Sequence, residues 1–239
     1  MTHYIITGSS SGIGKALAKK ALTKNNSVVS GISRTNDWEA PGFTHHVLDL
    51  NHLKDVISFS LPHQPADEVI LINNAGYLGD IKRVGNASDE ALARVFNVNI
   101  SAVAIMMNKF LNTDYAPGAK KTVLNVSSGA GSYVIPAWAS YCASKAAVDM
   151  LSKTVKAELD ETGNNARILS VGPGVVDTPM QGEIRGAAAE DFSRVEEFKT
   201  FKTNNELASP DEIAEKYFYV LENNLFADEV VGSLRDVTM

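Results

Sequence analysis

Thr7-Gly8-Ser9-Ser10-Ser11-Gly12-Ile13-Gly14 follows the apolar run Tyr4-Ile5-Ile6 and leads into residues 15–22, where Ala16, Leu17 and Ala21 are the apolar positions. A strand, a glycine-rich turn and a helix in that order match the opening of a dinucleotide-binding unit. Glycines allow the tight turn and a close approach of backbone to pyrophosphate, and the helix N-terminus supplies amide donors and a positive dipole end. The spacing Gly-x-x-x-Gly-x-Gly differs from the commoner Gly-x-Gly-x-x-Gly. A plain serine-glycine turn has the same composition, so the flanking strand and helix carry the reading. Gly8, Ser10, Ser11, Gly12, Ile13 and Gly14 are thereby candidate cofactor contacts.

Outward from this turn, short β-type runs alternate with longer helical patterns. Further strands are expected at 27–30, 45–48, 69–72, 122–126, 167–171 and 229–231, and helices at 92–111 and 138–159. Ser209-Pro210-Asp211-Glu212 signals another helix start, with serine as N-cap, proline in the first turn and glutamate three residues after the cap. Near-continuous apolar strands separated by helices suit a parallel sheet covered on both faces. The expected fold is therefore one α/β domain over residues 1–239, doubly wound and Rossmann-type, with about seven parallel strands. Residues 178–205 lack a clear assignment and are read as a mobile substrate-binding lobe with one or two short helices.

Composition narrows the function. The chain has 239 residues, 44% hydrophobic and 21% charged, which is enough apolar material for a core. A net charge of -6 without basic blocks speaks against nucleic acid as a partner. The longest apolar stretches fall short of the roughly 18 residues that span a bilayer, so no membrane partner is expected. The N-terminus lacks a signal peptide's basic start and cleavage site. One cysteine, Cys142, excludes an internal disulfide and a cysteine-built zinc site, and a cytoplasmic protein is expected. His45 and His46 are adjacent in a strand, face opposite sides and cannot chelate one ion, so no metal is expected.

The choice of dinucleotide is read after the second strand. A cofactor without a 2′-phosphate usually meets an acid there, which accepts from the ribose hydroxyls. Here Gly31-Ile32-Ser33-Arg34-Thr35 contains none, and the first acid is Asp37. Arg34 offers a planar, permanently charged donor fork suited to phosphate, although a surface arginine has the same appearance. Arg34 and Ser33 are assigned to the 2′-phosphate, and the cofactor to NADP(H). Asp49, after the third strand, is read as an acceptor for the adenine amino group, as a helix cap before Asn51 and His52, or as both.

Tyr141 and Lys145 stand four apart in a helical segment and share a face. A free tyrosine titrates near pKa ~10. A neighbouring ammonium, with the positive nicotinamide of the oxidised complex, favours phenolate and is expected to pull that value down. Reducing a ketone needs a proton donor at the developing alkoxide, which suits Tyr141. The Ser128 hydroxyl, after the fifth strand, suits holding the same oxygen. Asn99, in the long helix, is read as the anchor of a water linking Lys145 to solvent. Trp138, Tyr133 and Met180 flank this segment and serve an apolar pocket or the core equally well. Cys142 is read as packing and Asp177 as a cap for the segment after it.

With these residues in order, the sequence resembles the short-chain dehydrogenase/reductase family over essentially its whole length. The likeness rests on Thr7 to Gly14, Asn73-Asn74-Ala75-Gly76, Asn99, Ser128, Tyr141, Lys145, and Pro173-Gly174 through Thr178. The resemblance implies that Asn74, Ala75 and Gly76 support the cofactor after the fourth strand. It also implies that Pro173, Gly174 and Val176 lie on the stretch beside the nicotinamide and that Thr178 contacts its carboxamide. Lys145, with Tyr141, joins the cofactor contacts. Ser33-Arg34, Leu48-Asp49-Leu50, Ser127 through Gly131, Tyr141-Cys142, Pro173 through Thr178, Met180-Gln181 and Arg235-Asp236 resemble the sepiapterin reductase and benzil reductase branch more narrowly. Sepiapterin reductases carry a pterin-binding aspartate near the C-terminus, where Ser233 stands here.

The expected activity is NADPH-dependent reduction of a ketone, aldehyde or 1,2-diketone. The alternatives are a sepiapterin reductase, an NAD(P)-dependent alcohol dehydrogenase, and a catalytically silent nucleotide sensor. The resemblance further implies a homo-oligomer, dimer or tetramer, joined through the two long helices.

Overall fold

The computed structural model describes all 239 residues. Seven strands form one parallel sheet: β1 (Thr2–Thr7), β2 (Ser27–Ser33), β3 (Phe43–Val47), β4 (Glu68–Asn73), β5 (Lys120–Val126), β6 (Arg167–Gly172) and β7 (Val231–Ser233). Their order is β3-β2-β1-β4-β5-β6-β7. The chain winds outward from β1 to β3 and then returns to β4 on the other side of β1. The order therefore reverses between β1 and β4, and in such sheets a crevice opens beyond the strand ends at that point.

Alternation along the strands supplies both faces of the core. Ile6 and Tyr4 point to one side, where Leu17 and Ala18 of α1 (Gly12–Leu22) and Tyr217 and Phe218 of α8 (Pro210–Glu222) pack. Ile5 points to the other, with Val98, Met106 and Phe110 from the long helix. Ile5 and Ile6 are fully buried, and each such side chain contributes about 1.5–3 kcal/mol of transfer free energy. The Ser209 capping box forms as expected. Ser209 Oγ accepts from the Glu212 N–H at 3.2 Å, and a Glu212 carboxylate oxygen accepts from the Ser209 N–H at 2.7 Å.

Some boundaries differ from expectation. A short α2 (Leu53–Ser58) follows β3, and its N-cap is His52. Asp49 instead accepts from the Asn51 N–H at 2.9 Å, so it closes a local turn and does not cap the helix. The long helix begins earlier, at Asp89, because Ser88 Oγ caps the Ala91 N–H. It consists of α3 (Asp89–Phe96), a π-helical turn (Asn97–Ser101) and α4 (Ala102–Asn112). Residues Asp89–Asn112 are long and, on average, apolar enough to cross a bilayer, but polar residues interrupt every apolar run in them, and Val95, Val98, Ala102, Met106 and Phe110 are buried in the fold. The helix after β5, α5 (Ala139–Thr162), ends on Gly163 in the left-handed conformation (φ 68°). The last strand starts two residues late, since Val230 adopts φ 64°, which no strand residue keeps. The segment 178–205 holds two helices, α6 (Pro179–Arg185) and α7 (Val195–Thr203).

Candidate active site

All the expected cofactor residues except Gly14 line one cavity of about 1330 Å³ at the switch point. At one end lies the glycine turn. Gly8 takes φ 69°, and a Cβ on Gly14 would stand 2.1 Å from the Gly8 carbonyl oxygen. Gly14 thus supports the site from behind by letting α1 press against the turn. Thr7 Oγ accepts from the Asn74 and Ala75 amides at 3.0 and 3.1 Å. The Asn74 side-chain amide donates to the carbonyls of Thr7 and Gly8 at 3.0 and 3.2 Å. β1 and β4 therefore hold the turn rigid between them. Ser11, the N-cap of α1, makes no side-chain cap, and the first turn carries no acid. Open helix amides beside Gly8, Ser10, Gly12 and Ile13 form a cradle whose chemistry fits a pyrophosphate.

Arg34 is exposed on the cavity wall beside Ser33 and Thr35. Ser33 is buried, and its hydroxyl donates to the Thr35 carbonyl at 2.8 Å while pairing with His45 Nε2 at 2.9 Å. Ser33 therefore shapes the loop, and its hydroxyl is already engaged within the chain. Asp37, the nearest acid, is held by Lys15 at 2.9 Å, and that ammonium keeps its carboxyl below the usual range. Asp49 lines the cavity between Leu48 and Leu50.

Midway along the cavity, Tyr141 and Lys145 are both buried on α5. Lys145 Nζ donates to the Val126 carbonyl at 2.8 Å and lies 5.6 Å from the Tyr141 ring centroid. Burial pushes Lys145 down to about 8, opposed by the charge of Asp149. Burial pushes the Tyr141 phenol up to about 12, opposed by a hydrogen bond with Ser128. The expected lowering is thus reversed in the chain alone, because desolvation of the phenolate outweighs the hydrogen bond from Ser128. Ser128 Oγ accepts from the Ala130 N–H at 3.2 Å, which leaves its O–H available as a donor beside Tyr141.

Asn99 does not line the cavity. Within the π turn its Oδ1 accepts from the Tyr77 N–H at 2.8 Å, and its Nδ2 donates to the Tyr77 carbonyl and to Ser144 Oγ at 2.9 and 3.0 Å. Ser144 in turn donates to the Tyr141 carbonyl at 2.8 Å. The side chain braces the Tyr77 loop against α5. A π turn at such a place is characteristic of functional sites.

Pro173, Gly174, Val176 and Thr178 line the far side after β6. Thr178 is the N-cap residue of α6, and Asp177 instead pairs with Lys202 at 2.5 Å, so it joins α7 to this stretch and caps nothing. The remaining wall is aromatic. Trp138 stacks on Phe192 with ring centroids 5.5 Å apart and meets Tyr141 edge-on at 5.8 Å, while Phe198 packs against both Trp138 and Phe192. Trp138 thus serves core and cavity at once, Met180 and exposed Tyr133 line the cavity, and half-buried Cys142 lies behind them. Two buried atoms of this wall, Trp138 Nε1 and Gln181 Oε1, have no hydrogen-bond partner in the chain. Phe198 carried no signal of its own in the sequence, because only the folding of 178–205 over α5 brings it here.

The short chain dehydrogenase family model matches residues 2–189. The Bacillus subtilis (strain 168) benzil reductase that forms (S)-benzoin is 36% identical over 93% of this chain and 94% of its own length. The sepiapterin reductase of Meriones unguiculatus is 29% identical over 93% of this chain and 92% of its own. Among solved structures, a short-chain dehydrogenase/reductase from Saccharomyces cerevisiae aligns with a TM-score of 0.81 at 25% identity, covering 99% of this chain and 97% of that one.

Proposed function

Since the chain belongs to the short-chain dehydrogenase family, we propose that it is an NADPH-dependent carbonyl reductase whose substrates are small ketones and aldehydes, above all 1,2-diketones of the benzil type. The observation that carries this reading is the buried Tyr141–Lys145 pair between a phosphate cradle and an aromatic wall within one cavity. Gly8 through Ile13 would hold the pyrophosphate, Arg34 the 2′-phosphate, and Pro173 through Thr178 the nicotinamide. The reduced nicotinamide, when bound, supplies the hydride.

The chain's own residues do the rest. Tyr141 stays protonated through the neutral range, so its phenol is present as an acid where a carbonyl oxygen gains charge. The Ser128 O–H donates to the same oxygen and fixes its position. The Lys145 ammonium, anchored on Val126, stabilises the phenolate that remains once the proton has left. Trp138, Phe198 and Met180 enclose an apolar, ring-bearing substrate and exclude water.

A second reading, a pterin side-chain carbonyl, is favoured by Asp236. This acid lines the cavity three residues after Ser233 and offers a carboxylate for a pterin ring. The reading further places the protein in the cytoplasm as a homo-oligomer acting on small molecules. NADPH oxidation measured over benzil, a sepiapterin-like pterin, a quinone and a simple aldehyde tests it, with Asp236→Asn run beside the parent. Preference for benzil, unaffected by the substitution, supports the first reading. Preference for the pterin, lost in Asp236→Asn, supports the second, and turnover of none of the panel refutes both.

A further inference from the structure

The face of α5 that carries Tyr141 and Lys145 continues one turn further to Asp149. Its Oδ1 accepts from both Ser127 Oγ and Ser170 Oγ, each at 2.6 Å. Both serines are buried, Ser127 just beyond β5 and Ser170 within β6. Its Oδ2 lies by Gly131, where a Cβ would come within 2.7 Å of the oxygen and 3.1 Å of the Lys145 carbonyl carbon. The carboxylate borders the cavity. A carboxylate is thus fixed by two short charge-assisted bonds one helical turn from a buried ammonium.

This deepens the reductase reading and rests on it: we propose that Asp149 is a positioning residue of the Tyr141–Lys145 pair, its charge, anchored by Ser127 and Ser170, keeping the buried Lys145 side chain protonated.

The surroundings of Lys145 leave this task to Asp149 alone. From its own helix it is faced by Tyr141 and Asp149. From the end of β5 comes the Val126 carbonyl, and Asn99 Oδ1 and Lys145 Nζ each lie 3.8 Å from the place a Cβ on Gly76 would take. Behind Tyr141 are Cys142 and the buried Tyr217. Of these groups only Asp149 carries a negative charge at neutral pH. Burial disfavours the ammonium, and without a fixed anion a larger fraction of the lysine would be neutral at working pH. A neutral lysine gives no field to Tyr141, whose own burial already makes it a weaker acid.

The test titrates Lys145 by NMR in the full chain, with isotope-labelled lysine and no cofactor, the Lys145 signal being assigned by its loss in Lys145→Met. Asp149→Asn keeps the shape and both serine donors but removes the charge. Its Lys145 midpoint should fall by about 1 pH unit below the parent's. Ser127→Ala, which removes one anchor and keeps the charge, should move it by no more than a few tenths. In turnover, the alkaline limb of kcat/KM for Asp149→Asn should move down with the NMR midpoint while rates on the acid side stay within a few-fold. An unmoved midpoint in Asp149→Asn, or an equal shift in Ser127→Ala, overturns the proposal. A shifted midpoint in a protein that reduces no carbonyl supports the hold of Asp149 on Lys145 and refutes the reductase reading instead.

Discussion

Arg34→Ala isolates the choice of cofactor. The side chain is exposed and enters no ion pair or hydrogen bond within the chain, so its loss should leave the fold intact. A hydrogen bond to a charged group contributes about 1.5–3 kcal/mol. At 1.4 kcal/mol per factor of ten, losing such a bond to the 2′-phosphate raises the KM for NADPH by roughly 10- to 150-fold. Because Arg34 is exposed, salt screens the interaction, and the effect should sit toward the tenfold end and shrink as ionic strength rises. NADH has no phosphate there, so its KM should change by less than about twofold. Asp37 does not blur the comparison, since Lys15 remains paired with it in the variant. The assay is steady-state kinetics of both proteins with both cofactors at two salt concentrations. Equal loss of NADPH and NADH activity would show that Arg34 is structural and remove the main support for NADPH.

Three further outcomes follow from particular contacts. The kcat/KM for reduction should be flat on the acid side and fall about tenfold per pH unit above about 8, where Lys145 loses its proton, and a profile unchanged to pH 10 would exclude that role. Ser209→Ala removes the cap of α8 and should cost about 1 kcal/mol, read in calorimetry as a Tm lower by roughly 2–4 °C with unchanged kcat. Hydrogen exchange in residues 178–205 should be faster than in the sheet and slow when NADPH and substrate bind, and equal protection with and without them would argue against a closing lobe.

The parts legible in the sequence were those fixed by local chemistry. Ile5-Ile6 next to a glycine turn announced a strand buried on both faces, and Ser209 through Glu212 announced a capped helix, because each signal sits within a few residues. Tyr141 and Lys145 were legible as a pair because their helical spacing follows the strand ending at Ser128 in a chain that already carries the phosphate turn. What escaped depends on long-range contacts. Asn99 was named from the sequence, but the hold of the Tyr77 loop on both ends of its amide and the π turn around it have no local signature. Asp177 looked like a cap because aspartate before a helix usually is one, but Lys202, 25 residues on, takes the carboxylate. The left-handed Val230 that delays β7 runs against the preference of a β-branched residue, so no propensity reveals it. The direction of the Tyr141 shift was misjudged for a related reason, since pattern shows the ammonium but only packing shows the burial.

The most direct measurement incubates the protein with benzil and NADPH and follows cofactor oxidation and benzoin formation together, beside Tyr141→Phe. The substitution keeps the ring against Trp138 and removes only the proton donor. The parent should form one benzoin per NADPH oxidised. Tyr141→Phe should be slower by about 10²-fold or more while binding NADPH as tightly. No benzoin from the parent, or turnover by Tyr141→Phe within a few-fold of it, would contradict the assignment of this cavity as a carbonyl reductase site.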